Sequence, residues 1–255
     1  MTSIAQAAAL NSQCIKLCIH GAAGKVGRLF PTVISEFPGA SLSASLDSRS
    51  TPEQRIQSVE NSDCVIDFSR PEASLKIAEI AAQAHRPILI ATTGHSPAQI
   101  EILRAFSKSC AVLLAPNTSL GVHALHLLSQ AAQRMLGDSY QIEIVEAHHA
   151  AKKDSPSGTA LSLANHLRRD EAGHQIVTGR GSGALLRAPT EIGISSVRGG
   201  DVFGEHTIYF LGKGERLELI HRASDRALFA RGALLLATKL VGMRAGFYSP
   251  QDIFN

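Results

Sequence analysis

The stretch Ile15-Lys-Leu-Cys-Ile-His20-Gly21-Ala-Ala-Gly24-Lys-Val-Gly27 decides the fold. Its first six residues read as a short strand, and glycines follow at every third position. Val26, Leu29, Phe30, Val33, Ile34 and Phe37 then recur at helical spacing until Pro38-Gly39 ends the pattern. Strand, glycine turn and helix together read as the opening of a nucleotide-binding βαβ unit, with a plain glycine-rich turn of an α/β protein as the other reading. Glycines permit the tight turn and let backbone amides approach phosphate oxygens, and a helix N-terminus adds partial positive charge. Gly21-x-x-Gly24-x-x-Gly27 is a variant of G-x-G-x-x-G, with Ala23 at the usual second glycine. Pro31 falls inside the helical pattern. It deletes the amide that would bond to the Gly27 carbonyl and predicts a kink or a delayed regular start.

Downstream, Leu42, Ala44 and Leu46 alternate as a second strand that ends at Asp47. Asp47 stands 20 residues after Gly27 (47 − 27), where a carboxylate would accept from ribose hydroxyls; the plainer reading is an Asp capping a turn. Asp47 should repel a 2′-phosphate, while Arg49, Lys25 and Arg28 offset that repulsion, so NADH is expected to serve at least as well as NADPH. Further strands are expected at 64–68, 87–91 and 111–115, with helices opening at Pro71 and at Ser96-Pro97. The alternation predicts an α/β fold: a Rossmann-like, doubly wound parallel sheet. Ligands gather at the carboxyl ends of parallel strands, which nominates Ala91-Thr92-Thr93-Gly94 and Ala115-Pro116-Asn117-Thr118 as nicotinamide neighbours or as plain loops.

The texture changes after Asn117. A long helix over 120–135, a strand over 141–146, a polar loop and a helix from about Thr159 precede a glycine-rich stretch at 173–188. Strands near 192–197, 206–210 and 217–223 then cluster, which predicts an α+β domain with a mixed sheet. A last helical run over 227–244 is expected to pack back on the first domain. The organisation read here is an N-terminal arm at 1–13, a dinucleotide-binding domain at 14–119 and 225–255, and a substrate domain at 120–224.

Composition narrows the function. Hydrophobic residues are 44% and charged residues 18%, a globular mixture. Apolar runs such as 111–115 and 232–237 are far below the roughly 18–20 residues of a membrane span. The first 13 residues lack Lys and Arg, so the charged start of a secretory signal is missing. A net charge of +3 with no Trp and 5% aromatics argues against a nucleic-acid partner. Cys14, Cys18, Cys64 and Cys110 form no C-x-x-C pair and read as reduced thiols in a cytoplasmic protein. Small-molecule chemistry is what remains.

The densest chemical stretch is Glu146-Ala-His148-His149-Ala-Ala-Lys152-Lys153-Asp154-Ser-Pro-Ser157-Gly158-Thr159. Two histidines and two lysines meet a Ser/Gly/Thr turn that opens a helix. Such a turn offers amides to a carboxylate or phosphate, lysines add positive charge, and histidine can donate a proton near neutral pH. The rival is a metal held by Glu146, His148, His149 and His206. No H-E-x-x-H spacing exists, and adjacent residues of an extended segment point in opposite directions, so no metal is expected. A solvated polar loop is the plain alternative. His85, His123, His126, His166 and His174 are read as surface or locally satisfied, and His20 as filling space beside the glycine loop.

At these motifs the chain resembles the 4-hydroxy-tetrahydrodipicolinate (dihydrodipicolinate) reductase family. The resemblance runs through Gly21 to Gly27, Asp67-Phe-Ser-Arg70-Pro71, Thr92-Thr93-Gly94, Asn117 with Ser119, Gly121-Val122, the stretch from Glu146 to Ala160, and Arg198-Gly-Gly-Asp-Val-Phe-Gly-Glu-His206. It implies NADH- or NADPH-dependent reduction of a cyclic imine dicarboxylate in the diaminopimelate route to lysine. It implies a homotetramer built through the central domain; closure of that domain over the cofactor is expected because such an active site would straddle the two domains. Residue by residue, it makes His148 the proton donor, Lys152 its catalytic partner, and His149, Gly158 and Thr159 the binders of the substrate dicarboxylate. Gly21, Ala22, Ala23, Gly24, Lys25 and Val26 would hold phosphate, Asp47 the adenine ribose, and Arg70 the adenosine end. Ala91, Thr92 and Thr93, with Ala115, Pro116, Asn117 and Thr118, would surround the nicotinamide. The chain departs from the family pattern with Ala91 for a usual glycine, Thr118 for a common Phe and Ser155 for a common Ala. Another nicotinamide-dependent dehydrogenase and a non-catalytic NAD(H)-binding sensor remain the other readings.

Overall fold

In the computed structural model, residues 14–183 and 186–254 are described; the arm read at 1–13 lies outside them. The chain divides into two compact units. One holds the described residues of Met1–Ser119 and Ala227–Asn255, and the other is Leu120–Arg226.

In chain order the first unit opens with β1 (Ile15–His20), a helical segment whose only α-helical part is α1 (Phe30–Val33), and β2 (Ala40–Leu46). Then come α2 (Pro52–Glu60), β3 (Cys64–Asp67), α3 (Pro71–Gln83), β4 (Ile88–Ile90), α4 (Pro97–Phe106) and β5 (Ala111–Leu114). The second unit comprises α5 (Leu120–Leu136), β6 (Gln141–His148), α6 (Gly158–Leu167), β7 (Gln175–Thr178), β8 (Glu191–Arg198), β9 (Glu205–Leu211) and β10 (Arg216–Arg222). The chain returns to the first unit with α7 (Ala227–Leu240), β11 (Gly246–Tyr248) and α8 (Pro250–Phe254).

The first sheet has the order β11-β5-β4-β3-β1-β2, and every pairing is parallel. Its inner strands β3, β4 and β5 are buried along almost their whole length because both faces of the sheet are covered. Leu17, Ile19, Ile66 and Leu89 pack with Phe30 and with Ala233 and Leu234 of α7 on one side. Cys18, Val65, Ile88 and Val112 pack with Ile77 of α3 and Leu103 of α4 on the other. The chain leaves β1 for β2 on one flank and returns to β3 on the opposite flank. A reversal of this kind opens a crevice at the carboxyl ends of β1 and β3, where α/β sheets bind ligands.

The helix expected from Val26 to Phe37 is instead three short pieces: a 3-10 turn at Gly27–Leu29, α1, and a second 3-10 turn at Ile34–Glu36. Pro31 is the cause. Lacking an amide, it is accommodated only in a first helical turn, so the regular helix starts at Phe30, with Pro31 in that turn, and not at Val26. The helix read over 227–244 stops at Leu240, and Gly242 turns the chain at φ +89°.

The second sheet has the order β10-β9-β6-β8-β7. β6 runs parallel to β8 and antiparallel to β9, so the sheet is mixed. Ile142, Ile144, Ile192, Ile194, Ile208 and Phe210 turn one face toward α5 and α6. The alternate residues lie on the opposite face, where Val197 and Ile220 are about half exposed.

Candidate active site

In the first unit, the glycine loop closes on itself through its own backbone. Gly21 and Ala22 both donate to the Leu46 carbonyl at 2.9 Å, and Gly24 donates to the Gly21 carbonyl at 2.9 Å. Gly21 adopts φ +85°, and a Cβ there would run into the Phe68 backbone. A Cβ at Gly27 would lie 2.8 Å from Ala22 Cα. These glycines are therefore demanded by close backbone approach. With so short an α1, the dipole of a long helix adds little here, and what the loop offers is bare amides. The loop borders a groove of about 670 Å³ lined by His20, Asp47, Arg55, Phe68 and Arg70, among others.

Asp47 is held by Arg49, whose Nη2 lies 2.6 Å from Oδ2, and the Arg49 amide donates to Oδ1 at 2.8 Å. These hydrogen bonds keep the Asp47 carboxyl below its ordinary range. Arg70 is exposed at the start of α3. Thr93 and Pro116 are exposed, whereas Ala91, Thr92, Ala115 and Thr118 are buried. Thr92 Oγ1 donates to Asp67 Oδ2 at 2.6 Å and accepts the Ser69 amide, and Thr118 Oγ1 donates to the Phe229 carbonyl at 2.7 Å. The side chains of Thr92 and Thr118 thus tie the structure together, leaving their backbone as the part that can meet a ligand. His20 does more than fill space: its Nδ1 lies 2.7 Å from Asp67 Oδ1 in a buried pair at the groove.

In the second unit, β6 places Glu146 and His148 on the same buried face, two residues apart. His148 Nδ1 lies 2.6 Å from Glu146 Oε2. Arg198, from the adjacent strand β8, meets the same carboxylate with Nη1 at 2.8 Å and Nη2 at 2.6 Å. The Ser157 amide completes it at 3.0 Å. Burial opposes a charge on Glu146, but hydrogen bonds from Arg198, Ser196, His148 and Ser157 outweigh it and bring its pKa down to about 2. Burial pushes the His148 imidazole below its ordinary value, and Glu146 pulls the other way.

His149 follows the end of β6, and its amide donates to the Val202 carbonyl at 2.8 Å. Lys152 Nζ pairs with Asp154 Oδ1 at 2.9 Å. Ser157 caps α6 by accepting the Ala160 amide at 3.1 Å, and Gly158 and Thr159 form the first turn, with open space where a Gly158 Cβ would stand. Ser157 Oγ also lies 3.1 Å from Nε2 of buried His206, which burial holds down to about 3. The structure therefore gathers Glu146, His148, Lys152, Ser157 and Gly158 around one helix start. Among the described residues no group of three or more His, Cys, Asp or Glu side chains is arranged to hold a metal.

Sequence reading missed the roles of Arg198 and Ser157. Arg198 is 52 residues from Glu146 and reaches it only because β6 and β8 pair in parallel, with His148 opposite Arg198. His126 and His166 also need correcting. His126 is buried with its ring 5.0 Å from that of His166, and neither His126 Nδ1 nor His166 Nε2 has a hydrogen-bond partner among the described residues.

Residues 15–118 match the family model for the N-terminus of dihydrodipicolinate reductase, and residues 121–254 match the model for its C-terminus. The chain is 40% identical to the 4-hydroxy-tetrahydrodipicolinate reductase of Syntrophotalea carbinolica over 94% of this chain and 99% of that one. It is 45% identical to the reductase of the same name from Aquifex aeolicus, over 76% of this chain and 73% of the other. A solved dipicolinate-bound dihydrodipicolinate reductase from Paenisporosarcina shares the fold, with a TM-score of 0.76, 21% identity, and coverage of 93% and 98% of the two chains.

Proposed function

Because the chain belongs to the dihydrodipicolinate reductase family, we propose that it reduces 4-hydroxy-tetrahydrodipicolinate to tetrahydrodipicolinate on the route to lysine, with His148 as proton donor. The observation that carries this reading is the buried Glu146–His148 pair beside a capped helix start.

A nicotinamide dinucleotide fits the first unit because Gly21 and Gly27 leave backbone where any Cβ would collide. The amides of Ala23, Lys25 and Val26 remain for phosphate once Gly21, Ala22 and Gly24 have bonded internally. Asp47 takes the adenine ribose and Arg70 the adenosine end. Ala91, Thr92, Thr93, Ala115, Pro116, Asn117 and Thr118 border the nicotinamide, the buried ones through backbone. When bound, the reduced nicotinamide supplies hydride.

His149, Gly158 and Thr159 hold the substrate's carboxylates, using the amides that a helix start offers to anions. Lys152 adds positive charge and swings from Asp154 to the substrate. Its charge and the helix start stabilise the electron density that builds on the ring, while His148 delivers a proton as water leaves. The incoming dianion favours the cationic form of His148, countering the burial that disfavours it.

Homotetramer assembly uses the face of the second sheet that carries exposed Val197 and Ile220. The four free thiols, Cys14, Cys18, Cys64 and Cys110, suit a reducing cytoplasm. No helix among the described residues is long and apolar enough to cross a membrane.

The test is spectrophotometric: NADH or NADPH oxidation followed with enzymatically generated substrate. Turnover is expected. Tight cofactor binding with no turnover would replace this reading with that of a redox sensor.

A further inference from the structure

Glu146 and Arg198 take no part in the steps above, yet they form the most heavily bonded charged pair around His148. Glu146 is fully buried, and both its oxygens are occupied: one by His148 Nδ1 and Arg198 Nη1, the other by Arg198 Nη2 and the Ser157 amide. Arg198 Nη2 also donates to the Asp154 carbonyl at 2.8 Å, so the pair ties β6 and β8 to the loop that bears Lys152.

We propose that Glu146 and Arg198 are positioning residues that fix the His148 ring with a proton on Nδ1, leaving Nε2 as the working nitrogen and their charges balanced around it. This rests on the reading of His148 as proton donor.

An ionised carboxylate can only accept, so the nitrogen facing it must carry hydrogen. Gly204 lies beside Nε2, and having no Cβ it keeps a side chain off that nitrogen: a Cβ there would sit 3.0 Å from it. Glu146 alone would bias His148 toward a permanent cation. Arg198 removes that bias by taking the carboxylate in a bidentate grip. The other groups facing the ring keep the balance. Lys152 is paired with Asp154 at 2.9 Å, and the ring of His206 stands 5.3 Å away, with its Nε2 at Ser157 and His221 opposite it on β10. A ring so placed can gain and lose a proton within one cycle, as a donor must.

Histidine-selective ¹⁵N NMR of the resting full chain tests this without turnover, comparing wild type, Glu146→Gln, Arg198→Gln and the double variant. Wild-type His148 is expected as the Nδ1–H tautomer. Its titration should move to lower pH in E146Q, where the Arg198 charge is left uncompensated, and to higher pH in R198Q; the double variant should fall between them. In E146Q, kcat should drop on the order of 10–100-fold, by analogy with the partners that orient metal-bound histidines, with KM for substrate moved less. The high-pH limb of kcat should shift in the same order as the NMR titration. Arg198→Lys should restore the wild-type titration. If E146Q fails to fold, R198Q and R198K carry the test alone. An Nε2–H tautomer in wild type, or a titration unmoved by any variant that folds, overturns the proposal. NMR shifts in the stated order with an unmoved kcat limb uphold the couple and overturn the proton-donor reading instead.

Discussion

Arg49 Nη2 lies 2.6 Å from Asp47 Oδ2 just beyond the end of β2, so the carboxylate at the groove is already neutralised from one side. Arg55, on a helix that begins five residues after Asp47, reaches the Asp47 carbonyl at 3.4 Å and lines the same groove. A 2′-phosphate would therefore meet two guanidinium groups along with one paired carboxylate. Arg49→Ala should uncover Asp47 and raise KM for NADPH several-fold, a modest change because the Arg49 side chain is largely exposed and its charge is screened by water. KM for NADH should move far less. Steady-state kinetics with both cofactors measures the ratio, and equal shifts would remove Arg49 from cofactor selection.

His148→Ala and Lys152→Ala should each lower kcat by about 10²–10⁴-fold, the scale of a lost proton donor or charge stabiliser. Cofactor affinity, read by fluorescence titration, should stay within about twofold of wild type, because neither residue belongs to the unit that carries the glycine loop. Wild-type turnover in either variant would exclude that residue from the chemistry.

Gly21→Ala should damage both stability and dinucleotide binding. At φ +85° an L residue costs roughly 1–2 kcal/mol, and the added Cβ meets the Phe68 backbone. A lower melting temperature with a weaker cofactor titration is expected. Gly158→Ala, with open space at its Cβ, should leave the melting temperature almost unchanged.

Acid should destabilise the protein in two stages. Burial holds His206 at about 3 and His126 at about 4, both below the ordinary value of 6.5. The unfolded chain takes up those protons first, so the stability these residues hold at neutral pH is lost as pH falls below 6.5 toward those values. Glu146, held at about 2 against an ordinary 4.5, adds a further loss below pH 4.5. Melting temperature against pH should fall across both windows. His126→Gln should flatten the part between pH 6.5 and 4, and an unchanged slope there would show that His126 titrates like an exposed ring.

The first unit was largely legible because its signals are local. Gly21, Gly24 and Gly27 announce backbone contacts within a few residues, and Pro71 and Ser96-Pro97 mark helix starts. Helix α2 escaped notice although Thr51-x-x-Gln54 forms a full capping box with Pro52 at its start. Strands β7 and β11, four and three residues long, are set by pairing with β8 and β5 and show no periodicity of their own. In the second unit, the loop from Glu146 to Thr159 was visible as a cluster of chemical groups, but its wiring was not. The partners of Glu146 and Ser157 are Arg198 and His206, 52 and 49 residues away, and only strand register brings them together.

That register has a consequence for how the protein can change over time. Successive residues of β6 serve different masters: Glu146 and His148 belong to the buried chemistry, Val145 and Ala147 to the opposite surface. Sliding β8 by a single residue against β6 would carry Arg198 through to the far side and orphan Glu146. Insertions and deletions inside these strands should thus be purged, and drift in sequence should collect in the turns between them.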